Sequence, residues 1–155
     1  MALALAFFLS LSAPAWADQF GATVIRVSDG DTIVVRTADF EDIRIRLYGI
    51  DAPEANQPGG AEAAAALKPL QGQMVAVWEM DIDRYGRTVA LVEHEGRSVN
   101  LDLVAQGWAW YYPQYCKEQP ICDQIQKAEG EARAAKRGLW AGQPVPPWEW
   151  RRGKQ

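Results

Sequence analysis

Three acidic residues stand at the ends of two neighbouring strand-like segments, where they could bind a metal ion or act on a proton. Residues 32–37 are rich in β-branched side chains and residues 43–48 alternate between apolar and polar types, which is typical of β-strands. Asp31 precedes the first segment, while Asp51 and Glu54 follow the second. Because the start of one antiparallel strand lies beside the end of the next, we expect these carboxylates to converge at one end of a sheet.

The second of these segments also carries arginine on one face. Its period-two alternation separates two sets of side chains. These are Ile43, Ile45 and Leu47 on one face, and Arg44, Arg46 and Tyr48 on the other. Arg46 can then point toward the carboxylates, and hard oxygen ligands beside a guanidinium suit a calcium or magnesium site that handles phosphate. The alternative is a solvated hairpin with turn-forming aspartates, because Asp29-Gly30 is a turn signal by itself.

Five strands and three helices are predicted from the apolar periodicity and from the proline and glycine breaks. The strands cover residues 20–27, 32–37, 43–48, 74–80 and 88–93, and the helices cover residues 61–67, 100–106 and 123–137. One helix separates the third strand from the fourth, and the other two helices follow the fifth strand. This order is that of a small Greek-key β-barrel of the OB-fold type with helices added to it.

The two ends of the chain differ from the domain between them. Residues 1–17 form an uncharged apolar run that ends in Ala-Trp-Ala, so we expect a secretory signal peptide cut before Asp18. A buried or membrane-anchoring helix is the alternative. A single domain over residues 18–142 is then followed by a tail rich in proline and tryptophan over residues 143–155. Because proline opposes a helix there, we expect an extended tail that packs on the domain or extends from it.

Composition and cysteine content limit the class of protein. A length of 155 residues suits one core, and a formal net charge of −4 argues against a protein that coats nucleic acid through many cationic contacts. Cys116 and Cys122 would form a disulfide in an oxidising compartment, or else remain free buried thiols. A zinc site is disfavoured because His94 is the only histidine and zinc takes four ligands. A Ser-His-Asp or Cys-His nucleophile has little support, because this one histidine stands in a segment expected to be an exposed turn.

Three short segments carry a family resemblance. V-S-D-G-D-T-I, I-R-L-Y-G-I-D-A-P-E and D-R-Y-G-R-T-V-A resemble the signature segments of the staphylococcal nuclease (thermonuclease) family, in the family's order and spacing. The likeness continues through V-N-L-D-L-V-A-Q-G-W-A-W-Y and A-R-A-A-K-R-G-L-W, and it covers roughly residues 20–140. It implies the fold of that family, a five-stranded OB-type barrel followed by helices.

The resemblance also implies roles for the acidic residues. Asp31 and Asp51 stand at the positions of the two carboxylates that bind one Ca²⁺ ion in the family, with the backbone carbonyl of Ala52 as a further ligand. Glu54 stands at the position of the family's proposed general base, which orients the attacking water.

Two arginines and three tyrosines complete the site that the resemblance implies. Arg46 and Arg87 stand at the positions of the family's phosphate-binding arginines, and an ordinary ion pair with the same acids is the alternative for both. Tyr85 and Tyr111 resemble the tyrosines beside the substrate, although Tyr112 aligns with the second of these positions as well as Tyr111 does. These side chains would stack on bases, or else pack structurally.

The signal-like segment predicts export to the periplasm or out of the cell. The resemblance implies an enzyme that hydrolyses DNA and RNA with Ca²⁺ and little sequence preference and that leaves 3′-phosphate ends. It would be a hydrolase acting on ester bonds, a thermonuclease-like endonuclease or exonuclease, monomeric and without stable membrane association after signal cleavage. The alternatives are a catalytically inactive OB-fold module that binds nucleic acid or protein, and calcium binding for stability alone. The presence of Arg46, Glu54 and Arg87 together favours the enzyme, because neither alternative needs all three.

Overall fold

Five long β-strands form a closed barrel in the computed structural model, which describes residues 19–153. The strands, including three of only two residues, are β1 (Gln19–Asp29), β2 (Thr32–Thr37), β3 (Asp42–Leu47), β4 (Ile50–Asp51), β5 (Met74–Ile82), β6 (Thr88–His94), β7 (Arg97–Ser98) and β8 (Trp110–Tyr111). Antiparallel neighbours run in the order β3-β2-β1-β5-β6, and a parallel pairing of β3 with β6 closes the barrel. The predicted five-stranded barrel is confirmed.

The barrel interior is filled by the apolar face of each long strand. Along β3 the predicted alternation places Ile45 and Leu47 in the core, while Arg44 is exposed. Branched aliphatic side chains pack well on a pleated surface, which explains why these segments form strands. The buried side chains from the five long strands include Val24, Ile33, Val35, Ile45, Leu47, Val77 and Val92.

Tyr48 departs from the predicted face of β3. It was expected on the side of the arginines, but the strand ends one residue earlier and Tyr48 is buried. Its hydroxyl oxygen accepts hydrogen bonds from the backbone N–H groups of Lys117, at 2.7 Å, and Glu118, at 3.0 Å. Cys116 and Cys122 form a disulfide that closes the loop containing these two donors. Tyr48 therefore connects the barrel to this loop through hydrogen bonds, and it does not lie on the face of β3 that carries the arginines.

Four α-helices flank the barrel within residues 19–153: α1 (Gly60–Leu67), α2 (Val99–Ala105), α3 (Ile121–Ala134) and α4 (Pro147–Arg152), together with 3-10 helices at Lys68–Leu70, Pro113–Tyr115 and Gly138–Ala141. The first three α-helices are those predicted from the sequence. The Ser98 hydroxyl caps α2 by accepting the N–H of Leu101. Helix α3 ends at Ala134, earlier than predicted, and Ala135 is exposed and lies outside its buried stripe.

The C-terminal segment contains a helix, so the expectation of a fully extended tail is wrong. Pro147 is the first residue of α4, a position where the missing N–H of proline costs the helix no hydrogen bond. The Trp148 ring stacks on the Tyr112 ring, with centroids 5.2 Å apart and planes inclined by 8°. Gln57 Nε2 also donates a hydrogen bond to the carbonyl of Val145 at 2.6 Å. The segment is therefore docked on the body of the domain.

The predicted signal peptide, residues 1–17, lies outside the described residues. In the part of the chain that the structure describes, no helix has both the length and the apolar character needed to cross a bilayer. Export of the chain stays a prediction.

Candidate active site

The pairing of β2 with β3 brings two aspartates together at one end of the barrel. Asp31 precedes β2, and its carbonyl accepts the N–H of Leu47, the last residue of β3, at 2.9 Å. The Asp31 carboxylate accepts the N–H of Ala52 at 2.8 Å and the hydroxyl of Thr32 at 3.1 Å. Asp51, which precedes Ala52, is only 1% exposed. Two buried carboxylates from separate segments therefore meet where the strand pattern places them.

Gly30 allows the turn that carries Asp31 to lie against α1. A Cβ atom on Gly30 would stand 2.6 Å from the Cβ of Ala63 and 2.8 Å from the Cβ of Ala52. Both distances are too short for carbon atoms in contact, so a larger residue would push these elements apart. Asp29 Oδ1 accepts the N–H of Asp31 at 3.1 Å and stabilises the same turn.

Arg46 bridges the two aspartates. Its Nη2 donates to Asp51 Oδ1 at 2.9 Å, and its Nη1 forms an ion pair with Asp31 Oδ2 without the alignment of a hydrogen bond. Burial lowers the pKa of Arg46, but the charges of Asp31 and Asp51 outweigh it and raise the pKa overall. The alternative interpretation of Arg46, an ordinary ion pair with the acids, therefore describes these two contacts. Nη1 is buried against the Asp31 carboxylate, so the guanidinium lies between the two acids.

A third arginine, which the sequence did not single out, reaches the site from α4. Arg151 Nη1 donates to Glu54 Oε1 at 2.7 Å, while Nη1 and Nη2 contact the two carboxylate oxygens of Asp51 at 3.3 and 2.8 Å. The side chains of Arg151 and Glu54 are 42% and 41% exposed, so this pair lies at the mouth of the site above the buried Asp51. One feature of the sequence could have indicated this role. Arg151 directly follows the P-P-W-E-W segment, and Trp148 of that segment stacks on Tyr112.

Burial makes the ionised form of two carboxylates at the site less favourable. Burial raises the pKa of Asp51, although Arg46 and Arg151 oppose the shift. Burial and then the charge of Asp31 raise the pKa of Asp29 to about 6. A raised acid pKa means that the surroundings disfavour the ionised form, so added positive charge at this point would be favourable.

The residues present fit a divalent cation that tolerates irregular coordination. Within residues 19–153, no group of three or more His, Cys, Asp or Glu side chains is arranged to hold a metal ion. A cation would therefore rest on Asp31 and Asp51 and complete its shell with backbone, water or substrate oxygens. Calcium accepts six to eight oxygen ligands in flexible geometry, which suits this donor set.

Arg87 lies at the same end of the barrel but is held to one side. Its Nε donates to Asp83 Oδ2 at 2.7 Å, and its Nη1 has a long contact of 3.5 Å with the hydroxyl oxygen of Thr32, the residue after Asp31. Partial burial raises the pKa of Asp83, but hydrogen bonds from Arg87 and from the N–H of Tyr85 lower it overall. The ionised Asp83 therefore orients Arg87 toward the first residue of β2.

The three predicted substrate tyrosines have different surroundings. Tyr85 is exposed on the β5–β6 loop, with the guanidinium carbon of Arg87 lying 5.6 Å from its ring centroid. Tyr111 is half-buried and pairs with the first residue of β4. The Tyr111 N–H donates to Glu129 Oε1 at 3.1 Å. Tyr112 stacks on Trp148 of α4, the helix that carries Arg151, and burial and then the charge of Asp51 raise the pKa of Tyr112.

Sequence comparison agrees with this geometry. The family profile described as Staphylococcal nuclease homologue matches residues 44–142. The chain belongs to the staphylococcal nuclease family. A protein named Micrococcal nuclease from Shigella flexneri is 41% identical over 165 aligned residues, which cover 99% of this chain and 92% of the relative. Proteins named Uncharacterized endonuclease are 44% identical over 134 residues in Escherichia coli O157:H7, with 84% of each chain covered, and 40% identical over 131 residues in Haemophilus influenzae, with 83% and 71% covered.

The match to the staphylococcal nuclease family covers most of the site. It includes Arg46, Asp51, Glu54 and Arg87. Asp31 precedes the matched residues, but the alignment with the Shigella relative includes it. The predicted family, barrel fold and enzyme class, a hydrolase acting on ester bonds, are confirmed. The role of each residue stays a prediction.

Proposed function

We propose that this member of the staphylococcal nuclease family is a calcium-dependent enzyme that hydrolyses phosphodiester bonds of DNA and RNA with little sequence preference and leaves 3′-phosphate ends. The observation that supports this most directly is the convergence of three carboxylates at one end of the barrel. Arg46 joins Asp31 to Asp51 there, and Arg151 joins Asp51 to Glu54. Buried charges of this kind add little to stability, so their clustering in one place indicates a functional site.

Asp31 and Asp51 would hold the cation, because they are the two buried carboxylates that already share one guanidinium. In that place Ca²⁺ would supply positive charge to the phosphate oxygens. Arg46 lies against the same carboxylates, and its guanidinium would bind a phosphate oxygen beside the cation. A guanidinium stays charged at working pH and can donate two parallel hydrogen bonds to phosphate.

Glu54 would act on the attacking water. Its carboxylate lies at the mouth of the site, where water has access, and a carboxylate can orient a water molecule and accept its proton. Arg87 would bind the phosphate from the side of Thr32 and stabilise the charge that develops there. Asp83 would keep Arg87 in this orientation through the 2.7 Å ion pair.

The nucleic acid would be held locally. The net charge of −4 leaves no general attraction for a polyanion, so affinity would come from Arg46, Arg87, the bound cation and aromatic stacking. Tyr112, which packs against the helix that carries Arg151, and the exposed Tyr85 are the side chains proposed to contact the substrate. Stacking accepts every base, which accounts for little sequence preference.

Export is proposed from two independent features. The apolar segment of residues 1–17 has the pattern of a cleavable signal, and the Cys116–Cys122 disulfide belongs to an oxidising compartment. The mature enzyme would act as a monomer in the periplasm or outside the cell. Mass spectrometry of exported protein should find a chain that starts at Asp18, whereas an uncut chain confined to the cytoplasm would contradict export.

The function can be tested with the protein that starts at Asp18. Single-stranded DNA, duplex DNA and RNA are incubated with it in calcium, in magnesium and in chelator, and product ends are analysed for 3′-phosphate. We expect cleavage in calcium that stops in chelator, and weaker calcium binding by Asp51→Asn in calorimetry. A folded wild-type protein that binds calcium and cleaves none of these substrates would contradict the enzyme and favour the OB-fold binding module.

A further inference from the structure

Arg151 joins two acids to which the proposed function gives different tasks. Its guanidinium contacts both carboxylate oxygens of Asp51 and one oxygen of Glu54. Among residues 19–153, Arg151 is the only hydrogen-bonding or ionic partner of the Glu54 side chain. Without this contact, a 41% exposed glutamate at the mouth of the site would sample many rotamers.

Helix α4 is attached to the same loop that carries Glu54. The Trp148 ring stacks on Tyr112, and Trp150 Nε1 donates to Asn56 Oδ1 at 3.4 Å, two residues beyond Glu54. These two contacts fix the position of α4, and they therefore fix where Arg151 reaches the site. A guanidinium is planar and presents a rigid set of donors, so it can span two carboxylates in one geometry, which the single ammonium of lysine cannot do.

We propose that Arg151 is a positioning residue of the active site that holds the Glu54 carboxylate in a fixed place relative to Asp51. The inference rests on the proposed function, because the restraint matters for catalysis only if Glu54 acts on the attacking water. Arg151 thereby makes the C-terminal helix part of the catalytic apparatus. The expected effect of losing it is about 10- to 30-fold in kcat, the factor that corresponds to the rotamer freedom of one glutamate side chain.

The test compares Arg151→Ala and Arg151→Lys with Arg152→Ala. Arg152 is the matched control, because it is the next residue of the same helix, is exposed, and makes no ion pair among residues 19–153. For each protein, kcat and KM are measured on single-stranded DNA in saturating calcium, with and without millimolar methylguanidinium. Amide hydrogen exchange of residues 54–57 is measured in chelator, where catalysis plays no part.

We expect Arg151→Ala to lose kcat with little change in KM, to regain part of kcat with methylguanidinium, and to exchange its amide hydrogens faster at residues 54–57. Arg151→Lys should fall in between, and Arg152→Ala should match the wild type. Unchanged kcat in Arg151→Ala would overturn the inference, as would tighter calcium binding with raised kcat, which would make Arg151 a competitor of the cation. A wild type that cleaves nothing refutes the proposed function, and the exchange measurement then decides whether Arg151 restrains the loop that carries Glu54.

Discussion

Replacing Arg46 by methionine should destabilise the protein, because the change leaves buried carboxylates with less positive charge. The side chains of Arg46, Asp31 and Asp51 are 15%, 10% and 1% exposed. Removal of one partner from a buried ion pair costs about 3–5 kcal/mol. Arg151 still pairs with Asp51 in the variant, so the loss falls mainly on Asp31 and should lie near the lower end, at about 3 kcal/mol. Methionine keeps the packing of the aliphatic stem.

Urea unfolding in chelator at neutral pH measures this loss, and Arg36→Met is the matched control. Arg36 also pairs with an aspartate across β2 and β3, but both side chains of its pair with Asp42 are 46% exposed and screened by water. The control should therefore lose much less stability. For a chain of this size, about 3 kcal/mol corresponds to a fall in Tm of about 6–12 °C. The reasoning is refuted if Arg46→Met is no less stable than Arg36→Met.

Three further changes should lower stability in the same unfolding assay. Gly30→Ala should lower the free energy of unfolding by about 1–3 kcal/mol, because the added Cβ meets Ala63. A variant as stable as the wild type would show that α1 can move away from this Cβ. The double change Cys116→Ser and Cys122→Ser should cost about 2 kcal/mol, and reductant should have the same effect on the wild type but none on the variant. Asn100→Ala should cost at least about 2 kcal/mol, because fully buried Asn100 satisfies three backbone groups, and a loss near zero would mean that these groups find other partners.

The convergence of the aspartates could be predicted from sequence because it depends on local structure. The alternation along β3 sets which residues face the core, and the antiparallel pairing with β2 then brings Asp31 beside the end of β3. Gly30 adds a turn in which the Cβ atom of any other residue would lie too close to Ala52 and Ala63. Each of these constraints acts over a few residues, so a pattern of residue types was enough to find them.

The contribution of α4 could not be predicted in this way. Three closely spaced prolines suggested an extended tail, but Pro147 stands where a helix tolerates it. The position of Arg151 depends on the stacking of Trp148 on Tyr112, a contact between segments that are far apart in the chain. Tyr48 shows the same limit, because its burial is decided by donors in the disulfide loop and not by strand alternation.

In the proposed mechanism, Glu54 acts on water beside a cation held by Asp31 and Asp51. Single-turnover cleavage of single-stranded DNA in saturating calcium tests it most directly, with Glu54→Gln compared to the wild type and with Glu62→Gln, an exposed residue of α1, as the control. We predict that Glu54→Gln loses about 10²–10⁴-fold in rate while it still binds calcium, and that Glu62→Gln cleaves like the wild type. Cleavage by Glu54→Gln at the wild-type rate would contradict the account.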